Sequence, residues 1–255
     1  MRILITGASS GIGRELAIQY AQAGWELGLV GREIQRLEAT AHEAGAFGVN
    51  ASIFVADVQD TEAMAQVCRE FSAGGTVNVV IACAGIAIAD DLLDGNAESI
   101  ARLYSTNVIG VSNTLVPFVP LLRAQGHGTL VAVSSIAGLA ALPGRVAYSS
   151  SKAAVNCFLK GLRIELYGSG VHAMAVCPGF VHTPMIASLE RPPRSALTVG
   201  VAAAKIRKAI EHRRKNAAFP VVMATLVRLL LILPDFLVRA VVPKEPGSGS
   251  ETKRA

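Results

Sequence analysis

The sequence predicts an α/β protein: a single domain with a doubly wound parallel sheet, carrying an apolar C-terminal extension. Short Val/Ile/Leu/Ala runs alternate with longer amphipathic stretches along most of the 255 residues, the pattern of repeated strand–helix–strand units. A glycine-rich turn, Gly7-Ala8-Ser9-Ser10-Gly11-Ile12-Gly13, follows the first apolar run directly. Tyr148 and Lys152 stand four residues apart at the start of a helical pattern, thirteen residues after Ser135.

The apolar runs place strands at residues 2–6, 26–30, 51–55, 77–82, 128–134 and 171–177, with a seventh at 217–222. Several are continuous rather than alternating, as a sheet covered by helices on both faces requires. Helices are expected at 11–23, 33–44, 60–72 and 147–167. A long helical pattern over 97–123 should bend or end at Pro117 and Pro120, because proline lacks an amide and crowds the preceding turn. Residues 217–242 are intensely apolar, interrupted by Pro220, Arg228, Pro234, Asp235 and Arg239. Past the last strand they read as two short helices, 223–233 and 235–242, broken at Pro234. No uninterrupted apolar run reaches the ~18 residues of a membrane-spanning helix. These features divide the chain into a main α/β domain (1–222), the extension (223–243) and a polar tail expected to be disordered (244–255).

Charged residues make up 17% and the mean hydropathy is +0.44, so a thick core, a subunit interface or lipid must cover unusual apolar surface. The net charge of +5 is modest, and Arg213-Arg214-Lys215 has no interleaved aromatic residue, which argues against a nucleic-acid partner. Cys68, Cys83, Cys157 and Cys177 form no C-x-x-C pair and read as reduced thiols of a cytoplasmic protein. The five histidines show no metal-ligand spacing, so no metal is expected. A first strand starting at Arg2 or Ile3 leaves no room for a signal peptide.

The glycines have a chemical reading. Gly7, Gly11 and Gly13 permit a tight turn and close backbone approach, and a helix starting near Gly11 aims free N–H groups at a diphosphate. Ser9 and Ser10 can add hydroxyl donors, and Thr6 and Ile12 complete the segment. A Rossmann-type domain that binds NAD usually presents an acid at the end of its second strand, where this chain has Gly31 followed by Arg32. A missing carboxylate and a nearby guanidinium favour NADP(H), leaving NAD(H) as the second choice. Asp57, ending the third strand, is placed to touch the adenine, or else caps the following helix.

Four residues along a helix return to the same face, so Tyr148 and Lys152 can act together. A phenol near pKa 10 is a poor acid or base at neutral pH, and a neighbouring ammonium should lower that value. Ser135 could donate a hydrogen bond to a substrate oxygen gaining alkoxide character.

With these residues the chain resembles the short-chain dehydrogenase/reductase family, in its shorter single-domain branch. The resemblance rests on Thr6-Gly7-x-x-x-Gly11-x-Gly13, Asp57-Val58, Asn107-Val108-x-Gly110, Ser135 with Ala137-Gly138, Tyr148-x-x-x-Lys152, and Pro178-Gly179 with Thr183, all within residues 1 to 185. It implies that Tyr148 is the catalytic acid/base, that Ser135 positions the substrate, and that Lys152 lowers the tyrosine pKa and holds the nicotinamide ribose. Asn107 would support a water in the proton relay, and Pro178, Gly179, Val181 and Thr183 would line the nicotinamide side. One motif departs: where the family usually has Asn-Asn-Ala-Gly, this chain has Ala82-Cys83-Ala84-Gly85. Ala84 and Gly85 keep the close cofactor approach, and Cys83 reads as a small buried hydrophobe.

The implied substrate is a small-molecule carbonyl or alcohol, and the apolar stretch 184–189 suits a hydrophobic one, with 190–194 as a proline-stiffened loop. Leu139, Leu142 and Arg145 would line the opposite wall. A homodimer or homotetramer is expected. Three readings of residues 223–242 compete: packing over the cleft, a subunit contact, or association with a membrane surface. Two rival functions remain, a cofactor-binding scaffold without chemistry and an epimerase or dehydratase of the extended branch. Intact Ser135, Tyr148 and Lys152 weigh against the first, and the short C-terminal portion against the second.

Overall fold

The computed structural model describes residues 1–87, 97–186 and 195–242. Seven strands form one parallel sheet in the order β3-β2-β1-β4-β5-β6-β7. They are β1 (Arg2–Thr6), β2 (Glu26–Gly31), β3 (Ala51–Val55), β4 (Val79–Ala82), β5 (Gly128–Val133), β6 (Val171–Pro178) and β7 (Asn216–Phe219). Every residue of β4 is buried, whereas the edge strand β3 leaves Val55 exposed. Alternate residues of each inner strand serve opposite cores. Ile3 and Ile5 pack with α1 (Gly11–Gln22), α2 (Ile34–Gly45) and α8 (Val199–Glu211) through Leu16, Leu37 and Ile206. Leu4 faces the other layer, where α3 (Thr61–Ala73), α5 (Gly110–Leu115), α6 (Phe118–Gln125) and α7 (Val146–Glu165) supply Phe71, Leu115, Phe118 and Leu159.

The chain winds outward from β1 to β3 and then returns to lay β4 on the other side of β1. That reversal opens a crevice beyond the carboxyl ends of β1 and β4, the usual place for a ligand in an open α/β sheet.

The helical pattern over 97–123 breaks at Pro117, as expected, but not at Pro120. α4 (Ala97–Tyr104) runs into a π-helical turn, Ser105–Ile109, then α5, and the path breaks at Val116 and Pro117 before α6. Pro120 interrupts nothing, because it lies in the first turn of α6, where a missing amide costs little. The stretch Ala97–Gln125 is long and apolar enough to cross a membrane by length and composition. Its Leu103, Leu115, Phe118 and Leu122 are nonetheless almost fully buried against the rest of the chain.

The last strand ends earlier than the sequence suggests. Residues 220–222 are not strand: Pro220 has no amide for the ladder, and its carbonyl accepts from Ala224 N at 3.0 Å to open α9 (Val221–Leu229). A 3-10 turn, Leu230–Ile232, and then α10 (Asp235–Val241) follow, with the break at Pro234 as expected. The tail, 244–255, and residues 187–194, expected on the substrate side, lie outside the described residues.

Candidate active site

The glycine-rich turn sits at the carboxyl end of β1 and needs its missing side chains. Gly7 and Gly11 have φ of +69° and +54°, conformations that favour glycine. A Cβ on Gly13 would collide with the Gly7 carbonyl, so the first turn of α1 can lie against the loop only because that atom is absent. A Cβ on Gly7 would stand 2.9 Å from the Ala84 backbone, which brings Ala84 and Gly85 against the same turn. Ser10 is the N-cap of α1, yet its side chain makes no capping bond, so the helix's leading N–H groups keep their capacity for an anion. Ser9, Ser10, Gly11 and Ile12 are all half-buried along this turn.

Thr6 is fully buried, and its hydroxyl accepts from Cys83 N and Ala84 N at 3.2 and 3.4 Å. It holds the β4 loop in place rather than presenting a donor to the crevice. Thr183 completes the rim, with its Cγ2 lying 3.2 Å from where a Gly11 Cβ would stand. Val181 is buried and bridges to Leu197, while Gly179 N donates to Phe219 O at 2.7 Å, fixing the segment after Pro178.

Beyond β2 and β3, Arg32 and Asp57 form an exposed ion pair at 3.5 Å. Asp57 caps no helix. It accepts from Gln59 N at 3.0 Å, and Asp60 caps α3 through Ala63 N, also at 3.0 Å. Val58 is buried under Gly110, and its carbonyl accepts from Asn113 Nδ2 at 2.9 Å.

β5 and α7 bring Ser135, Tyr148 and Lys152 together. β5 ends at Val133, so Ser134 and Ser135 lie at the sheet's carboxyl edge, and α7 passes over them. Gly138 makes that approach possible: a Cβ there would be 2.6 Å from the Lys152 backbone carbon. Ser134 Oγ donates to Lys152 O at 3.0 Å and anchors the same turn of α7. The Ser135 hydroxyl lies near the Tyr148 phenol and favours its ionised form, and Ser135 Oγ accepts from Ala137 N at 3.1 Å. Lys152 Nζ lies 5.8 Å from the Tyr148 ring centre and donates to Val133 O at 3.1 Å. Burial lowers the Lys152 pKa to about 8.

The net direction for Tyr148 corrects the expectation that Lys152 lowers its pKa. Burial raises the phenol above its ordinary value, against smaller lowering contributions from the Ser135 hydrogen bond and the Arg145 charge. Loss of hydration outweighs the favourable neighbours. Burial also pushes the Cys83 thiol up to about 12, consistent with an inert small side chain.

Asn107 is fully buried in the π-helical turn. Its Oδ1 accepts from Ile86 N and its Nδ2 donates to Ile86 O, both at 2.9 Å, with a further bond to Ser151 Oγ at 3.3 Å. The side chain thus clamps the loop after Gly85, and Gly85 lies between Asn107 Oδ1 and Lys152 Nζ. The roles of Ser134, Ser151 and the Val133 carbonyl were not read from the sequence. Each works through a contact distant along the chain, and only the spacing of Ser134 beside Ser135 hinted at one of them. Leu139 packs with Ile136 and α9, while Arg145 stays half-buried near Tyr148.

A family model described as short chain dehydrogenase matches residues 1–193. An uncharacterized oxidoreductase of Myxococcus xanthus (strain DK1622) is 34% identical over 238 residues, covering 93% of this chain and 94% of its own length. Oxidoreductase UcpA of Salmonella typhimurium is 35% identical over 220 residues, covering 83% and 80%. A solved short-chain dehydrogenase from Sphingobium yanoikuyae in complex with NADPH has a TM-score of 0.81 at 26% identity, covering 92% of this chain and 96% of that one. A short chain dehydrogenase/reductase from Burkholderia phymatum in complex with NAD has a TM-score of 0.83 at 25% identity, covering 89% and 92%.

Proposed function

The chain belongs to the short-chain dehydrogenase family, and on that premise we propose that it exchanges hydride between NADP(H) and the carbonyl/hydroxyl pair of a hydrophobic substrate. The observation that carries the chemistry is Ser135 and Tyr148 brought side by side, with the buried Lys152 Nζ 5.8 Å from the tyrosine ring centre. A scaffold without chemistry has no use for that group.

The crevice suits a nicotinamide dinucleotide because its first helical turn is uncapped by side chains, and Gly7 and Gly13 let the turn, the β4 loop and α1 close against one another. When bound, the cofactor supplies or accepts the hydride. Tyr148, which holds its proton at neutral pH, would donate it to the substrate oxygen in the reducing direction; in the oxidising direction it must first lose that proton to solvent, and the phenolate then accepts the hydroxyl proton. Ser135 steadies that oxygen while charge develops on it. Lys152 places a positive charge beside the phenol, and Asn107 fixes the loop that shapes this side of the crevice. Apolar Leu139, Ile136 and Met223 meet at the substrate side, which supports the hydrophobic substrate class.

Arg32 supports NADP(H) because it is solvent-facing and held only by a long ion pair that a 2′-phosphate could replace. The Asp57 carboxylate beside it is the observation favouring the NAD-linked alternative, since it would oppose that phosphate. The test measures binding of NADPH and NADH by nicotinamide fluorescence in wild type and Arg32→Ala. Tighter NADPH binding that weakens by roughly tenfold or more in the variant supports the assignment. Equal or tighter NADH binding in the wild type overturns it.

A further inference from the structure

α9 has two working faces. On the inner one, Ala224 is buried, and Met223 and Val227 pack against Ile136, Leu139 and Cys177, next to Ser135. Met223 Sδ and Pro220 Cδ lie 3.5 and 3.1 Å from where a Gly179 Cβ would stand, so the helix borders the substrate side of the crevice. The outer face is different. Of the twenty exposed large apolar side chains among the described residues, nine fall between Val221 and Val241. Val221, Val222, Ile232 and Phe236 are each 70% exposed or more. The hydroxyl on this side is already spent, because Thr225 Oγ1 donates to Val221 O at 3.0 Å.

We propose that the outer face of α9 and α10 docks on an anionic phospholipid bilayer and delivers a lipid-dissolved substrate to the crevice walled by the inner face. Its delivery part rests on the oxidoreductase reading above. The charge pattern selects the occupant. Arg228 and Arg239 are exposed among the apolar side chains, and Asp235 is the one acid in residues 221–242. Basic residues beside aliphatic and aromatic ones on short helices are the composition that lies in a headgroup layer. Each guanidinium can pair with lipid phosphate, and the chain's net charge of +5 draws it toward an anionic surface. A second copy seated on the same face would press arginines together with a single carboxylate from each copy to offset them.

The experiment floats the full chain with vesicles of phosphatidylcholine alone and of phosphatidylcholine mixed with an equal part of phosphatidylglycerol. It compares wild type with the triple variant Leu226→Glu, Ile232→Glu, Phe236→Glu, whose changed side chains are all exposed. Circular dichroism and turnover of a water-soluble ketone verify that the variant is folded and intact. The expected result is wild type floating with the anionic vesicles and not the neutral ones, and the variant remaining in solution. Turnover of a long-chain ketone dissolved in the anionic vesicles should fall in the variant by about tenfold or more, with the soluble ketone unchanged. Wild type that fails to float overturns the proposal. So does light scattering that shows the variant dissociating from a dimer while flotation is unaltered. Flotation needs no turnover, so an inactive chain that floats would refute the oxidoreductase reading and leave the docking surface standing.

Discussion

With 4% of its surface exposed, Lys152 gives up most of its hydration and recovers one carbonyl, Val133 O, at 3.1 Å. Its pKa of about 8 in the folded chain lies below the ordinary 10.5 of the unfolded one. Below about pH 8 both states carry the proton, and the folded state bears the whole cost of the buried charge. As pH rises from 8 toward 10.5 the folded chain releases its proton first, so stability rises through that window. The cost is on the order of 3 kcal/mol, and a lost hydrogen bond to Val133 O would return about 1 kcal/mol of it. Lys152→Met should therefore be more stable than wild type at pH 7 by roughly 1–3 kcal/mol in urea unfolding. The gap should narrow by pH 10, and a gap independent of pH would contradict this account. Tyr148→Phe should lose most turnover, with kcat/KM down about a thousandfold or more, while NADPH binding stays near normal by fluorescence titration. At this scale the grouping of Ser135, Tyr148 and Lys152 was legible in the sequence, because they have a fixed spacing on one strand end and one helix. The sequence concealed the direction of the Tyr148 pKa, which depends on how much water the assembled fold excludes.

Elements meet in this site where side chains are missing. Gly138 admits the backbone of α7, and a Cβ would lie within 3 Å of Lys152 backbone atoms that cannot step aside. Gly138→Ala should shift α7 and cost about 2–4 kcal/mol in urea or thermal unfolding, with kcat falling more than NADPH affinity. An alanine variant with wild-type kcat would show that α7 can move without harm. The π-helical turn at Ser105–Ile109 belongs to the same scale. An extra residue in one helical turn carries Asn107 around to clamp Ile86, a placement hydrophobic periodicity does not encode. Periodicity did locate most strands and helices to within a residue or two, because continuously apolar strands and one-sided helices leave distinct patterns. It failed at 220–222, where Pro220 ends the ladder and the apolar residues that follow are exposed on α9 rather than buried in a strand. Apolar composition alone cannot say which side of a surface a residue faces.

For the whole molecule, the alternation of strands and helices predicted the doubly wound sheet, and the reversal between β1 and β4 accounts for the crevice position. The membership of the two cores also follows from strand register, with Ile3 and Ile5 on one side and Leu4 on the other. What covers the outer face of α9 does not follow from packing, because no element of the described chain reaches it. The strand order has another consequence, for the order of events during synthesis. β1 can pair with β2 as soon as residues 26–31 emerge, but its opposite edge must wait for residues 79–82. Throughout that interval a buried-type strand, Arg2–Thr6, carries unpaired amides and carbonyls along one side. Until then the emerged segment, residues 1–78, is a short sheet with an apolar open edge, a form prone to pairing with a neighbouring chain. The arrival of β4 closes that edge and, in the same step, creates the crevice.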